Sequence, residues 1–357
     1  MKTHRFFTLP GLSGLLFLPL LLSLSAAGAR ADEPASAAAP PSAFVRPPYL
    51  KRGDTVALVS PAGRLPDDCD TALIRGRFAS WGLHVLFGAH CCDRGEAYFS
   101  APDSLRAADL QAALDDPSVK AVIACRGGYG SVRLFPLLDL ERLRDDPKWP
   151  VGFSDITALH LALRRLGIES IHGPMPSQFR FDAEDPSAES LRSALFGETV
   201  AVETPPHPCN RPGRASGRLV GGNLTMLSLA AGTPEALRCD EPAILFIEEV
   251  GEYVYRLDRM LRHLERSGAL QGVAGVVVGH LTETPGAEKF GFGSPCEAVA
   301  EALRPLGVPV AFGFPAGHER PNLALFLGRE ATLEVTDSLT RLKFRDAAAD
   351  DAVRKRD

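Results

Sequence analysis

The chain has 357 residues and a formal net charge of −5, with 39 basic and 44 acidic side chains. A mildly acidic chain without a basic tract is a poor candidate for binding nucleic acid. Beyond the N-terminal segment, no apolar run reaches the roughly 18 residues of a membrane span.

The N-terminus has the layout of a signal peptide. Lys2 and Arg5 precede a Leu-rich run, and Ala29-Arg30-Ala31 supplies a small-residue cleavage site. This order of basic, apolar and cleavage regions predicts that residues 1–31 are removed and that the protein is exported, to the periplasm or beyond. The remaining 357 − 31 = 326 residues suit two domains better than a single core, and we expect no membrane association after cleavage.

After an Ala-, Pro- and Ser-rich leader at 32–48, strand-like and helix-like runs alternate. The strand-like runs are Thr55–Ser60, His84–Gly88, Val119–Cys125, Val151–Ser154 and Ile168–His172. The helix-like runs are Asp70–Trp81, Ser104–Asp115, Ser131–Asp146 and Asp155–Leu166. This alternation predicts an N-terminal α/β domain at 49–197 with a parallel, doubly wound sheet, in which ligands bind beyond the carboxyl ends of the strands.

A Pro- and Gly-rich stretch at 198–216 is interpreted as a linker. A smaller C-terminal α/β domain is predicted at 217–345, followed by a charged tail at 346–357. Its strand-like runs are Gly217–Gly222, Ala243–Glu249, Val273–Leu281 and Val308–Phe312, with a closing hairpin at Ala331–Val335 and Thr340–Phe344. Its helix-like runs are Asn223–Ala231, Tyr255–Ser267 and Pro295–Leu306.

Ser154 stands where a strand-like run meets a helix-like run, with Gly152 two positions before it. This is the pattern of a nucleophile elbow, in which a sharp turn exposes a serine hydroxyl. The glycine loop Arg126–Gly130 also follows a strand-like run, so its backbone N–H groups would lie at the same edge of the sheet and could form an oxyanion hole. The pattern favours a serine hydrolase without a metal.

A serine nucleophile needs a base, and the base needs an orienting acceptor. The chain has nine histidines, of which His318 lies in a Gly/Pro loop and His172 ends a strand-like run. Glu248 and Glu249 finish an apolar strand-like run, and alternation puts them on opposite faces. These patterns alone do not decide which histidine or which carboxylate is used.

The seven cysteines show neither C-x-x-C nor zinc-binding spacing, so we expect no metal or other cofactor. Export permits disulfides, and the odd count leaves at least one thiol unpaired. Cys69 with Cys91 or Cys92, and Cys209 with Cys239, are the local options, between which the sequence does not choose.

Seven short segments occur in one order between about Leu50 and Phe344, and together they resemble the LD-carboxypeptidase family of serine peptidases. They are Ser60-Pro61-Ala62-Gly63, Arg126-Gly127-Gly128-Tyr129-Gly130, Gly152-Phe153-Ser154-Asp155, Gly221-Gly222-Asn223-Leu224, Leu245-Phe246-Ile247-Glu248-Glu249, Tyr255-Arg256-Leu257-Asp258-Arg259-Met260-Leu261 and Gly317-His318. Each segment alone is a weak signal, whereas the ordered set covers nearly the whole chain after the leader.

The resemblance implies a triad of Ser154 as nucleophile, His318 as base and Glu248 as the residue that orients the histidine. The nucleophile and its two partners then come from different domains, which predicts an active site in an interdomain cleft. The family releases terminal D-alanine from the tetrapeptide stem of cell-wall fragments, so a small peptide or muropeptide is the expected substrate. The resemblance also suggests a homodimer.

For this reaction the oxyanion would be held by the N–H of Asp155 and by one from Gly127 or Gly128. The substrate carries a free carboxylate beside the scissile bond, which Arg126 or Arg133 could bind. The sequence does not choose between the two arginines.

Two other functions stay open at this point. A related serine hydrolase could cleave another amide or an acyl-adenylate conjugate, as microcin-immunity members of the family do. An exported binding protein could instead hold a ligand at the glycine loop without turnover. The familiar family members act in the cytoplasm, so the predicted export departs from the family pattern.

Overall fold

The structure is a computed structural model that describes residues 44–93, 98–181, 184–199, 201–239 and 241–345. The predicted signal peptide, most of the predicted leader and the predicted charged tail lie outside these residues. No helix in the described ranges is long and apolar enough to cross a membrane.

Two sheets and their flanking helices make up the fold. The strands are β1 Thr55–Val59, β2 His84–Phe87, β3 Val119–Ala124, β4 Trp149–Gly152, β5 Ser170–His172, β6 Ala201–Thr204, β7 Gly213–Asn223, β8 Ala243–Val250, β9 Val273–Thr282, β10 Val310–Ala311, β11 Leu325–Leu327, β12 Glu330–Val335 and β13 Thr340–Phe344. The helices are α1 Thr71–Ser80, α2 Asp103–Asp115, α3 Thr157–Arg165, α4 Pro186–Leu195, α5 Leu224–Ala230, α6 Val254–Arg266 and α7 Pro295–Leu303.

The first sheet has the order β11-β5-β4-β3-β1-β2. Its strands β1 to β5 are parallel, as the strand–helix alternation predicts, and the doubly wound α/β class is confirmed. The edge strand β11 runs antiparallel to β5, with Leu325 opposite His172. Although β11 lies far along the chain, in the predicted second domain, it completes the sheet of the first.

The second sheet has the order β10-β9-β8-β7-β12-β13-β6. Strands β7 to β10 are parallel, and β12, β13 and β6 extend the sheet in antiparallel fashion. The predicted linker at 198–216 therefore contains β6 and the first residues of β7. Its prolines bound these strands instead of making the whole stretch irregular.

Side-chain alternation places the cores on both faces of each sheet. In β1, Val56 and Leu58 enter one apolar cluster and Val59 enters another on the opposite face. In β8, Phe246 joins the first cluster and Ile247 a third. Strands that are buried on both faces have continuous apolar sequences, which explains why β1 and β8 could be predicted from the sequence.

The predicted helix at 131–146 is replaced by two 3₁₀ helices, Ser131–Leu137 and Glu141–Arg144. Pro136 lies inside the first of them. Proline lacks an N–H and its ring clashes with the preceding turn, so it does not fit the interior of an α-helix. The first of these 3₁₀ helices packs against α2 and α3.

All seven cysteines have free thiols in this structure. The Sγ atoms of Cys91 and Cys92 lie 3.2 Å apart. Cys91 is buried beside Cys125, and the hydrogen bond between these two thiols, together with burial, raises the pKa of Cys91.

Candidate active site

The backbone turns sharply at Ser154, between the end of β4 and the start of α3. Ser154 has φ 64°, and within the described residues the only other non-glycine with positive φ is Glu283. A serine in this left-handed region is strained, and such strain is concentrated at functional sites. A Cβ on Gly152 would lie 2.9 Å from Ile156, so the glycine lets the residues after the turn pack closely on the end of β4.

Three side chains that are distant in sequence form a chain of hydrogen bonds at this turn. His318 Nε2 lies 3.0 Å from Ser154 Oγ, and His318 Nδ1 lies 2.6 Å from Glu248 Oε2. The ring of His318 also packs against Phe153, with the ring centroids 4.8 Å apart. The structure thus brings together the three residues of the predicted triad, whose chemical roles stay a prediction.

Glu248 and Glu249 point to opposite sides of β8, as alternation requires. Glu248 is fully buried and faces His318. Glu249 instead accepts hydrogen bonds from the Asn223 side chain at 3.1 Å and from the Thr225 N–H at 2.7 Å. Its role is to join β8 to the start of α5, and burial raises its pKa.

Two glycines allow the close approach of backbone to the triad. Gly317 has φ 128°, and a Cβ there would lie 3.0 Å from Glu248 Oε2. A Cβ on Gly127 would lie 3.0 Å from Ser154 Cβ and 3.3 Å from its Oγ. The glycine loop therefore runs directly past the serine hydroxyl, as the shared sheet edge predicted.

Asp155 ties the serine turn to the glycine loop. Its Oδ2 accepts a hydrogen bond from the Ser131 N–H at 2.8 Å, and its carbonyl accepts one from Ser131 Oγ at 2.9 Å. Burial raises the pKa of the Asp155 carboxyl. Sequence reasoning considered only the N–H of Asp155 and missed Ser131, since nothing in the local pattern connects the two segments.

The two candidate arginines differ in their surroundings. Arg133 forms an ion pair with Asp103, at 2.7 Å, and lies over the ring of Phe99. Arg126 is exposed and makes one long hydrogen bond, 3.4 Å, to the carbonyl of Arg64. No carboxylate partner of Arg126 is found among the described residues.

Tyr98 also borders the glycine loop, although the sequence did not single it out. Its hydroxyl lies against Gly128 and near Gly63, while its ring is 50% exposed. A phenol at this position stands within reach of any ligand that occupies the loop.

The other histidines near the serine are buried. His160 is bonded through Nδ1 to Ser170 Oγ and through Nε2 to the Gly152 carbonyl, both at 2.9 Å, and burial lowers its pKa to about 4. His172 is fully buried with its edge toward Phe246, and burial lowers its pKa well below the usual value. Neither ring reaches Ser154 Oγ. Within the described residues, no cluster of three potential metal ligands is found.

A serine whose hydroxyl meets a histidine, backed by a buried carboxylate, is the arrangement found in serine hydrolases. The family model of the LD-carboxypeptidase N-terminal domain matches residues 56–173, and that of the C-terminal domain matches residues 216–333. The chain therefore belongs to the LD-carboxypeptidase family and is a serine carboxypeptidase.

Individual relatives agree with this assignment over most of their length. A carboxypeptidase homologue of Streptomyces coelicolor is 42% identical, covering 83% of this chain and 96% of its own. The murein tetrapeptide carboxypeptidase of Pseudomonas aeruginosa is 33% identical, covering 78% of this chain and 92% of its own. The crystal structure of muramoyltetrapeptide carboxypeptidase from Oxalobacter formigenes has a TM-score of 0.72 at 32% identity, covering 82% of this chain and 99% of that one.

Proposed function

We propose that the protein is a metal-free LD-carboxypeptidase that releases terminal D-alanine from murein tetrapeptide. The observation that carries the proposal is the hydrogen-bonded chain from Ser154 Oγ through His318 to Glu248. The similarity to the murein tetrapeptide carboxypeptidase of Pseudomonas aeruginosa supports the choice of substrate.

In the first half of the reaction, Ser154 Oγ attacks the scissile carbonyl while His318 Nε2 takes the hydroxyl proton. Glu248 holds the Nδ1–H tautomer and stabilises the imidazolium. His318 then gives the proton to the nitrogen of the leaving D-alanine, which departs with its amine neutral. Water attacks the acyl-enzyme with the same base, and Ser154 is restored.

The negative charge on the carbonyl oxygen needs N–H donors that are already in place. The N–H of Asp155 and one from Gly127 or Gly128 are the proposed donors, because Asp155 directly follows Ser154 and a Cβ on Gly127 would lie 3.3 Å from Ser154 Oγ. The Ser131–Asp155 hydrogen bonds hold the two segments in register. Losing one such donor typically costs about 100- to 1,000-fold in rate.

The substrate carboxylate is assigned to Arg126. Its lack of a carboxylate partner among the described residues leaves the guanidinium able to pair with a ligand, whereas Arg133 is already bonded to Asp103. Charge-assisted hydrogen bonds from arginine to a carboxylate are strong and directional. Such a contact selects substrates with a free C-terminus.

Mass spectrometry of purified murein tetrapeptide, incubated with the protein and with Ser154→Ala, tests the proposal. We expect loss of one alanine with the wild type only. The same substrate with an L-alanine terminus is the matched control, and it should remain intact. A zinc-reversible loss of activity on chelation would contradict the metal-free mechanism.

If the tetrapeptide is not cleaved, two alternative functions remain, and a comparison of the wild type with Ser154→Ala distinguishes them. Cleavage of an aminoacyl-adenylate conjugate by the wild type, and not by Ser154→Ala, would favour an immunity-type hydrolase. Binding of either ligand without turnover would favour a non-catalytic binding protein, and Ser154→Ala would then leave affinity unchanged.

We also propose that the enzyme acts outside the cytoplasm on stem peptides of the wall and forms a homodimer. The N-terminal sequence pattern supports export, and the resemblance supports the dimer. N-terminal sequencing of the protein from fractionated cells should begin at Asp32, and light scattering should give twice the mass of one mature chain. A mass of one chain would contradict the dimer.

A further inference from the structure

The loop that carries His318 is held by side chains as well as by strand pairing. It runs over the end of β9, where the His280 N–H donates to the Ala316 carbonyl at 2.9 Å. The N–H of Gly317 donates to Asn322 Oδ1 at 2.9 Å. On the other side of His318, the N–H of Glu319 donates to His280 Nδ1 at 3.0 Å.

This last bond fixes the protonation state of His280. Nδ1 accepts a hydrogen bond only when it carries no proton, so the ring must be the neutral Nε2–H tautomer. Burial lowers the pKa of His280 and favours that form. The nearby Gly317 carbonyl acts in the opposite direction and raises the pKa of His280.

Charged and titratable groups face His280 from three directions. Glu319 and His318 lie on the loop, Glu248 on β8, and His172 on β5. Glu319 and Glu248 raise the pKa of His280 and His318 lowers it, while the charge of a protonated His280 would lower the pKa of His172. Thr282 Oγ1 donates to Glu319 Oε1 at 3.1 Å, which keeps that carboxylate beside the loop.

We propose that His280 is a positioning residue that, as a neutral acceptor for the Glu319 N–H, holds the peptide after His318 so that Nε2 stays aligned with Ser154 Oγ. Protonation of His280 removes this acceptor. The proposal rests on the proposed function of Ser154 and His318. A misplacement of about 1 Å at a reacting group can cost about 100-fold in rate.

Two substitutions separate positioning from packing. In His280→Asn, Oδ1 can take the place of Nδ1 and accept the same N–H, but it cannot be protonated. His280→Leu has a similar volume and no acceptor. The exposed His263 supplies a control, His263→Leu, for the general effect of replacing a histidine by leucine.

The readouts are the rate at which a fluorophosphonate inactivates the protein and the kcat and KM for murein tetrapeptide, each as a function of pH. For His280→Leu we expect a fall of about 10- to 100-fold in inactivation rate and kcat, with KM changed less than about threefold. His280→Asn should stay within about threefold of the wild type, and its rates should fall less steeply toward acid pH.

Equal rates in the wild type and both variants would overturn the proposal, and so would equal losses in both, since these would reflect packing alone. The pH profile of His280→Asn tests the proposal even if His280→Leu does not fold. If the rates of His280→Asn fall toward acid pH as steeply as those of the wild type, His280 is not a positioning residue. A wild type that fluorophosphonate does not label would overturn the proposed nucleophile, and the positioning role with it.

Discussion

Glu248 and His318, 70 positions apart in the chain, meet in a contact of 2.6 Å between Oε2 and Nδ1. The carboxylate is fully buried, and its other oxygen, Oε1, has no hydrogen-bond partner among the described residues. A buried carboxylate that leaves one oxygen unpaired depends on its single strong partner. The negative charge of Glu248 therefore favours the tautomer of His318 that carries its proton on Nδ1.

Replacing Glu248 by glutamine keeps the volume and removes the charge. We expect kcat to fall about 10³- to 10⁴-fold with KM nearly unchanged, because a neutral amide does not stabilise the imidazolium and permits the wrong tautomer. Steady-state kinetics on murein tetrapeptide would measure both constants.

Glu249→Gln is the matched control, since Glu249 is also buried in β8 but bonds to Asn223 and Thr225. It should lower thermal stability and leave kcat within about tenfold of the wild type. Equal losses of kcat in the two variants would contradict a specific role for Glu248.

A methyl group on Gly127 would crowd the serine. Gly127→Ala places a Cβ 3.0 Å from Ser154 Cβ, so the loop or the hydroxyl must shift. We expect kcat to fall at least about tenfold, because displaced N–H donors no longer meet the oxyanion. Gly76→Ala, in α1 with nothing within 4 Å of the added methyl, should leave kcat unchanged. Wild-type kcat in Gly127→Ala would argue against this loop as part of the oxyanion hole.

The two arginines give opposite expectations. Arg126→Ala should raise KM for tetrapeptide about 10- to 100-fold, since one charge-assisted pair with the substrate carboxylate is lost. Arg133→Ala should leave KM unchanged and lower the melting temperature, because it breaks the pair with Asp103. Assays with a substrate amidated at its C-terminus provide the check: Arg126→Ala should lose little further activity there. A raised KM in Arg133→Ala alone would reverse the assignment.

The buried histidines predict a loss of stability in acid. The pKa of His160 is lowered to about 4 in the folded state, whereas the unfolded chain titrates near 6.5. Between these values the unfolded state binds the proton, so stability falls as pH falls. From pH 7 to pH 5, His160 alone should remove about 2 kcal/mol from the free energy of unfolding.

Urea titrations at the two pH values, on the wild type and His160→Gln, isolate this effect. The raised pKa values of Asp155 and Glu249 act in the opposite direction, stabilising the fold as pH falls, but they are common to both proteins. The variant should be less stable at pH 7 and lose less stability at pH 5. The exposed His84 gives the control His84→Gln, whose stability should depend on pH as that of the wild type does. If His160→Gln lost as much stability between pH 7 and pH 5 as the wild type, His160 would not be the source of the effect.

The strands of the parallel core could be predicted because buried strands are continuous apolar runs with helices between them. Strand β11 could not: it has three residues, and its partner β5 lies about 150 positions earlier. A pairing of that kind depends on where the chain travels in space, and no local pattern encodes it. The same limit applies to Ser131 and Asp155, whose contact joins two separate loops.

The nucleophile was visible locally, because Ser154 follows a strand and precedes a helix. The partner histidine was not, because nine histidines offer several strand ends and loops, and only the resemblance pointed to His318. The sequence pattern indicated a sharp turn near Gly152, but it did not indicate that Ser154 itself takes the positive φ.

The His318 loop leaves the second sheet at β10 and enters the first at β11. This loop thus connects the two sheets, and a wide opening between them would break the pairing of β11 with β5. We therefore expect the two halves to move little relative to each other. Exchange of one half at residues 198–216 would also place β11 against a foreign sheet, so we expect the two halves to fold well only as a matched pair.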